Sequence, residues 1–315
     1  MKLRKKALLA VFVLLLLSIS CIYILIPGEL KVNALSLANC TSTAAFRSIV
    51  ETVGQKEGWP ADGKGGADLR ITAKSYPEMD VVVRSGKNGE DGGGEGREIP
   101  GSLTVTSYHG RDSSAILWEC RFVPGLNPLS RLLQYREAVR VRRQMVLVLD
   151  SLAGYVGKGE NVYGMDVMHA MAHDTALVVT TLVTPSYPSV DTLYTRIHKI
   201  RDYIAREGSK ETNYPMLHIQ RRPDGQYESM IAVPSDRELK AQGVLFSKHF
   251  VPWKIVVGEV KGGTYRAQRA MEELMQYTAD HQLTLMAIPF QSLVTERDRE
   301  PDSTKWVTRV IVPIP

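Results

Sequence analysis

The chain has 315 residues, 44% of them hydrophobic, which is enough to bury a core and too much for a disordered polymer. Its formal charge of +5 comes from 39 basic and 34 acidic residues; setting aside Lys2, Arg4, Lys5 and Lys6 leaves 35 against 34, so the remainder lacks the basic surplus of a nucleic-acid surface. Three cysteines, Cys21, Cys40 and Cys120, are too few for a disulfide framework.

Ala7 to Ile26 carries no charge over about twenty positions, which at 1.5 Å per residue matches a hydrocarbon core of about 30 Å. A cleavable signal has a shorter apolar stretch of about 7–15 residues. The run therefore predicts an uncleaved anchor over residues 1–29, crossing the membrane with residues 7–26; lipidation at Cys21 is the alternative. The preceding basic cluster predicts a cytoplasmic N-terminus and an extra-cytoplasmic body. An exported compartment permits a Cys40–Cys120 bridge, though two small buried thiols are the simpler reading.

Beyond the anchor, Leu30 to Leu37 reads as a strand. Thr41 or Ser42 caps a helix reaching Thr52, with Phe46, Ile49, Val50 and Val53 on one face. Asp68 to Arg84 holds two β-rich stretches broken at Pro77-Glu78. Gly86 to Gly96 is a polar, glycine-rich connection; no Gly-Lys-Ser/Thr follows it, so it is not a phosphate loop. Strands resume at Ser102–Tyr108 and Ala115–Phe122. From Leu129 to about Val156 an apolar stripe of helical period runs through Leu132, Leu133, Tyr135, Ala138, Val139, Val141, Met145, Val148, Leu149 and Leu152. Arg131, Arg136, Arg140, Arg142 and Arg143 fall on the other, solvated side.

Near Gly157–Gly164 the composition turns to glycine and polar residues, which marks a domain boundary and gives domains of 30–160 and 161–315. A pattern then repeats. Strand (Thr175–Val183), helix (Val190–Glu207), strand (Met216–Arg221), a Pro223-Asp224-Gly225 turn and strand (Tyr227–Val233) are followed by strand (Trp253–Val260), helix (Tyr265–Gln282), strand (Pro289–Thr295), a charged loop and strand (Trp306–Val312). Val178-Val179 and Val256-Val257 lie 78 apart, and Val233-Pro234 and Val312-Pro313 lie 79 apart. The near-constant offset indicates a duplicated βαββ unit with a groove between its copies.

Val260-Lys261-Gly262-Gly263-Thr264-Tyr265, Ala270 to Leu274 with Tyr277, Pro289-Phe290, and Thr308 to Pro313 resemble the gyrase-inhibitor-like (GyrI-like) effector-binding domain over about residues 165–315. The resemblance implies two βαββ units around a cleft that takes small, often apolar or cationic, molecules; some members of that family hydrolyse electrophilic toxins. Residues 30–160, with Trp59-Pro60, Asn127-Pro128 and the following Asn161-Val162-Tyr163-Gly164, are similar in element order to a START-like helix-grip domain of the SRPBCC, polyketide cyclase type. The expected fold class is α+β: an N-terminal transmembrane helix, a helix-grip domain, then a duplicated βαββ domain.

In the GyrI-like pattern the strand after the second helix carries Glu, then Tyr, then an Asp-Pro turn. The aligned residues here are Gln291, Leu293, Glu296 and Arg297. Glutamine hydrogen-bonds but takes no proton at physiological pH, which counts against both hydrolysis and cation selection. The resemblance implies a ligand site of Tyr187, Tyr214, His218, Tyr265, Phe290, Gln291 and Trp306; each aromatic serves equally well as ordinary core or rim.

No catalytic or metal-ligating residue and no cofactor is expected. His169 and His173 stand four apart beside Asp166 and Asp174 but lead into a strand, not the helix that metal-ligand spacing needs. The expected function is membrane-anchored, non-catalytic binding of a small apolar or amphipathic molecule in the cleft, with no nucleic-acid partner. The alternatives are a hydrolase in the same cleft and a sensor or interaction protein with a vestigial pocket. Oligomeric state is left open.

Overall fold

The computed structural model describes residues 2–55, 68–85, 97–173, 175–249 and 252–315. Trp59-Pro60, the glycine-rich connection 86–96 and Asp174 lie outside them. The chain divides into two compact units, Met1–Lys158 and Gly159–Pro315.

The first unit contains α1 (Lys2–Leu25), β1 (Leu30–Ala38), α2 (Ser42–Gln55), β2 (Asp68–Ser75), β3 (Glu78–Ser85), β4 (Arg97–Ser107), β5 (Ser114–Phe122) and α3 (Pro128–Val156). Its strands form one antiparallel sheet in the order β1-β5-β4-β3-β2. Asn127 starts α3 by accepting from the Leu129 amide at 2.9 Å, with Pro128 in the first turn, where its missing N–H costs nothing. Ala138, Val141, Met145, Val148, Leu149 and Leu152 form its buried stripe. Gly101 is required by crowding, since a Cβ there would lie 2.5 Å from the Glu119 carbonyl oxygen and 2.7 Å from Cys120 Sγ. Cys40 and Cys120 are buried, unbridged thiols, and burial pushes the Cys120 thiol up to about 11.

Two expectations for this unit are corrected. Arg131 is not on a solvated face: it is 9% exposed, with its guanidinium 4.6 Å from the Tyr23 ring centroid. The second correction concerns the anchor. The basic residues expected to flank it are the opening residues of α1 itself. Among the described residues no helix is long and apolar enough to cross a membrane. The transmembrane helix through residues 7–26 is therefore withdrawn, and the inference of a cytoplasmic N-terminus and an extra-cytoplasmic body goes with it.

The second unit runs α4 (Gly159–Tyr163), β6 (Val167–Ala172), β7 (Ala176–Thr184), α5 (Val190–Arg206), β8 (Met216–Arg221), β9 (Tyr227–Ser235), β10 (Phe246–His249), β11 (Trp253–Lys261), α6 (Thr264–Asp280), β12 (Phe290–Leu293), a 3-10 turn (Ser303–Lys305) and β13 (Val307–Ile314). One eight-stranded sheet has the order β10-β7-β9-β8-β12-β13-β11-β6. It contains the duplicated unit, β7-α5-β8-β9 and β11-α6-β12-β13. The copies join where β8 pairs with β12, Leu217 opposite Gln291 and Met216 opposite Ser292. The strand that precedes each copy crosses to the other one: β6 pairs with β11, and β10 with β7. Each copy thus covers an edge that its partner would leave open.

Both helices lie on one face of this sheet. Leu193, Tyr194, Ile197, Ile200 and Ile204 of α5 pack on Val178, Ile231 and Val233, while Ala270 and Leu274 of α6 pack on Val256, Val310 and Val312. Gln291 stands directly between Leu217 of the first core and Val310 of the second, on that same face. The opposite face carries Leu177, Val179 and Ala232 on one side of the seam and Ile255, Val257 and Ile311 on the other, with Phe290 packed against the second group.

Candidate functional site

The seam on the helix-covered face gathers most of the chemistry. Gln291 is 9% exposed there, and its Oε1 has no hydrogen-bond partner among the described residues. The chain leaving β12 folds back over the seam as the connection 294–306. Two bonds pin its base: the Thr295 amide donates to the Val307 carbonyl at 3.2 Å, and the Val307 amide to Thr295 Oγ1 at 2.9 Å. Asp302 caps the 3-10 turn by accepting from the Thr304 amide at 3.1 Å and its hydroxyl at 2.6 Å. Trp306 Nε1 donates to the Glu300 carbonyl at 2.7 Å, and the indole is nearly buried.

This connection carries Arg297 into the interior. Its backbone amide donates to the Tyr194 hydroxyl at 2.9 Å, and that hydroxyl donates to the Thr295 carbonyl at 3.1 Å, tying the loop to α5. Arg297 is 5% exposed; its guanidinium lies 4.9 Å from the Trp306 ring centroid and donates from Nη2 to Thr308 Oγ1 at 2.8 Å. Its Nε is buried without a partner, and among the described residues no carboxylate pairs with it.

The acids on either side are committed elsewhere. Both Glu296 oxygens accept from Arg201, at 2.6 and 2.9 Å, and Asp298 meets His198 at 2.8 Å. Burial pushes the Arg297 guanidinium down from its ordinary value, with the neighbouring Tyr194 and Tyr187 opposing that shift. Tyr187 is half-buried, bonded to the Gln268 side chain, and set edge-on to Tyr227 at 5.7 Å. Its phenol is raised, mainly by burial.

Of the residues the sequence singles out, Tyr187, Gln291 and Trp306 belong to the helix-covered side, Tyr187 and Trp306 grouped around Arg297. Phe290 cannot join them, because successive side chains on a strand point to opposite faces. Phe290 instead lines a cavity of about 190 Å³ on the other face, together with His218. His218 Nδ1 lies 2.7 Å from the Pro289 carbonyl, so it carries a proton and donates, leaving Nε2 as an acceptor in the neutral ring. Tyr214 is 38% exposed with Arg309 over its ring at 5.8 Å, and Tyr265 is 76% exposed; neither reaches the group. Arg297 was not expected. Its surroundings in sequence, Glu-Arg-Asp-Arg-Glu, read as a solvated charged loop, and the only hint of burial is Trp306 nine residues on.

No protein-family model and no curated protein matches the sequence. Among solved structures, the chain is similar to one titled as an EcmrR–DNA complex, with 17% identity and a TM-score of 0.43 over 58% of this chain and 69% of that one. It is also similar to the EcmrR C-terminal domain, with 14% identity and a TM-score of 0.40 over 48% of this chain and 98% of that one. SAV2435 bound to tetraphenylphosphonium gives 19% identity and a TM-score of 0.32 over 48% and 94%. Likeness at this level carries no argument about ligand or activity, and the functional reading rests on the site.

Proposed function

We propose that the helix-covered seam of residues 159–315 binds a small apolar or amphipathic molecule without transforming it. One observation carries the reading: among the described residues Gln291 Oε1 and Arg297 Nε are both buried without partners, Gln291 opposite Val310 and Arg297 bonded to Thr308, which share one face of β13. Each such group costs about 1–3 kcal/mol when left unmet, and folded proteins leave few of them. A ligand that brings an acceptor for Arg297 and a donor for Gln291 meets both needs, while the Tyr187 and Trp306 rings receive its apolar part. A secondary amide on an aromatic body has that chemistry. A lipophilic cation does not, since it would approach an unneutralised guanidinium.

Chemistry is disfavoured because Glu296, the acid nearest in sequence, has both oxygens held by Arg201 in a charge-assisted clamp. We read Met1–Lys158, from its five-stranded sheet and long C-terminal helix, as a helix-grip body in line with the resemblance above, and assign it no ligand.

Titration calorimetry with acetanilide on the full chain tests the proposal. The parent is expected to bind and to leave the amide intact. Gln291→Ala is expected to weaken binding by about 0.5–1.5 kcal/mol, the net worth of one hydrogen bond. Hydrolysis of acetanilide, or binding indifferent to both Gln291→Ala and Arg297→Met, overturns it.

A further inference from the structure

Away from the seam, the first βαββ copy carries a basic cavity that the second lacks, and we infer that it binds a diphosphate ester with a hydroxylated organic body. The cavity, of about 760 Å³, is lined by α5, by the turn Gln242–Leu245 and by Thr180 of β7. Two backbone bonds close that turn, from the Gln242 amide to the Leu245 carbonyl at 2.9 Å and from the Leu245 amide to the Gln242 carbonyl at 3.0 Å. The Thr180 hydroxyl donates to the Val244 carbonyl at 3.3 Å, which ties the turn to the sheet and makes it a fixed wall. Arg196, Lys199 and Arg206 of α5 line the cavity, and Asp202 is the one acid among the described residues that do so. At about 3.6 residues per turn these four fall on one flank of the helix, away from Arg201.

Charge fixes the class of occupant. Elsewhere in this unit cations meet carboxylates: Arg201 meets Glu211 and Glu296, Arg266 and Arg269 share Glu273, and Arg309 meets Glu259. Among the described residues Arg196, Lys199 and Arg206 enter no ion pair, and Arg206 Nε donates only to the Asp202 backbone carbonyl, at 3.3 Å. The sister helix reverses the pattern. Aligned end to end, the 17-residue helices α5 and α6 set Lys199 against Glu273 and Arg206 against Asp280, so the basic flank belongs to the first copy alone. Three cations against one carboxylate leave two positive charges uncompensated, which a diphosphate supplies. Guanidinium forks and an ammonium are the donors that phosphate oxygens accept best. A bare diphosphate would leave most of the cavity empty. Val244 at its edge is 68% exposed and gives apolar wall to an organic body, while the Asp202 carboxylate accepts from a hydroxyl on that body.

Calorimetric titration of the full chain with ADP, inorganic pyrophosphate and adenosine tests the assignment. ADP is expected to bind with one-to-one stoichiometry, pyrophosphate about tenfold more weakly because it lacks the organic body, and adenosine not measurably. Arg196→Gln and Lys199→Gln, both on the solvent side of α5 and both compatible with a helix, are each expected to weaken ADP about tenfold. Asp202→Asn, which removes the one opposing charge, is expected to tighten pyrophosphate. Lys210→Gln makes the same change of charge outside the cavity and is expected to leave ADP untouched, which separates a built site from general attraction of anions. Arg297→Met is also expected to leave ADP untouched, and Lys199→Gln to leave acetanilide untouched, so the two sites stand or fall separately. ADP no tighter than adenosine or pyrophosphate overturns the inference. So does full ADP affinity in Arg196→Gln and Lys199→Gln, or an equal loss in Lys210→Gln.

Discussion

The two βαββ copies in residues 159–315 share element order and mirror each other's place in the sheet, yet they differ where the last two strands connect. In the first copy β8 and β9 are joined by a tight turn: the Arg222 amide donates to the Gln226 carbonyl at 2.8 Å, and Gly225 takes the left-handed conformation at φ 86°. In the second, residues 294–306 replace that turn and bring Glu296, Arg297 and Trp306 over the seam. The helices differ as well. α5 presents isoleucines and tyrosines and is capped by Ser189, whereas α6 presents Ala267 and Ala270 and starts at Gly263 without a side-chain cap. Duplication supplies a rigid, symmetric sheet, and the unmatched polar chemistry sits where the copies stop matching, on a connecting segment held by that scaffold.

The largest effects that probe this comparison are expected in the two cores. Ile200→Ala in α5 and Leu274→Ala in α6 each remove a fully buried side chain and are expected to cost about 2–5 kcal/mol in urea unfolding. Both are expected to shift one shared transition, because the copies are strands of a single sheet; two resolved transitions would show them to be separate bodies. The alanine face of α6 is tested from the other direction. Ala270→Leu is expected to overpack a closely approached site by about 1–3 kcal/mol, whereas Ala205→Leu on the exposed side of α5 is expected to change stability by less than about 0.5 kcal/mol.

Arg297→Met sharpens the contrast between the two connections. Removing a buried cation that lacks a counter-ion is expected to leave the melting temperature of the unliganded chain equal or higher, since replacing buried charge by apolar volume is often neutral or stabilising. A marked drop would make Arg297 a structural strut and weaken the ligand reading.

The smallest effect is electrostatic. Asp302 is held below its ordinary value of 3.8 by the bonds it accepts from Thr304. A carboxyl depressed in the folded state binds its proton more readily when unfolded, so its contribution is complete above 3.8 and is lost as pH falls below it. Acidification through that window is expected to loosen the Trp306 end of the loop, seen as a change in indole fluorescence that Asp302→Asn already shows at neutral pH.

Much of this architecture was legible in the sequence because local pattern decided it. The valine pairs 78 apart fall on β7 and β11, and the long apolar stripe after Asn127-Pro128 is α3. The exchange of β6 and β10 was not legible: β10 is four residues of Phe-Ser-Lys-His with no hydrophobic alternation, and its pairing is a tertiary choice. β6 carries His169, whose Nε2 meets the Tyr277 hydroxyl at 3.1 Å. Strand periodicity alone sets Phe290 and Gln291 on opposite faces, although the resemblance groups them in one site; the burial of Arg297 has no such signal, because five alternating charges read as solvent-facing and only the return of the chain toward Thr308 takes one of them inside.

The crossing of β6 and β10 has a consequence for cutting the chain. Each copy lends its leading strand to the other, as the subunits of an exchanged homodimer do, and within one polypeptide that pairing is intramolecular. A break in the segment between Ser235 and Phe246 would give two fragments that each carry an edge strand the other needs. Such fragments would be stable as a complementing pair, and each alone would present an uncovered sheet edge to its neighbours.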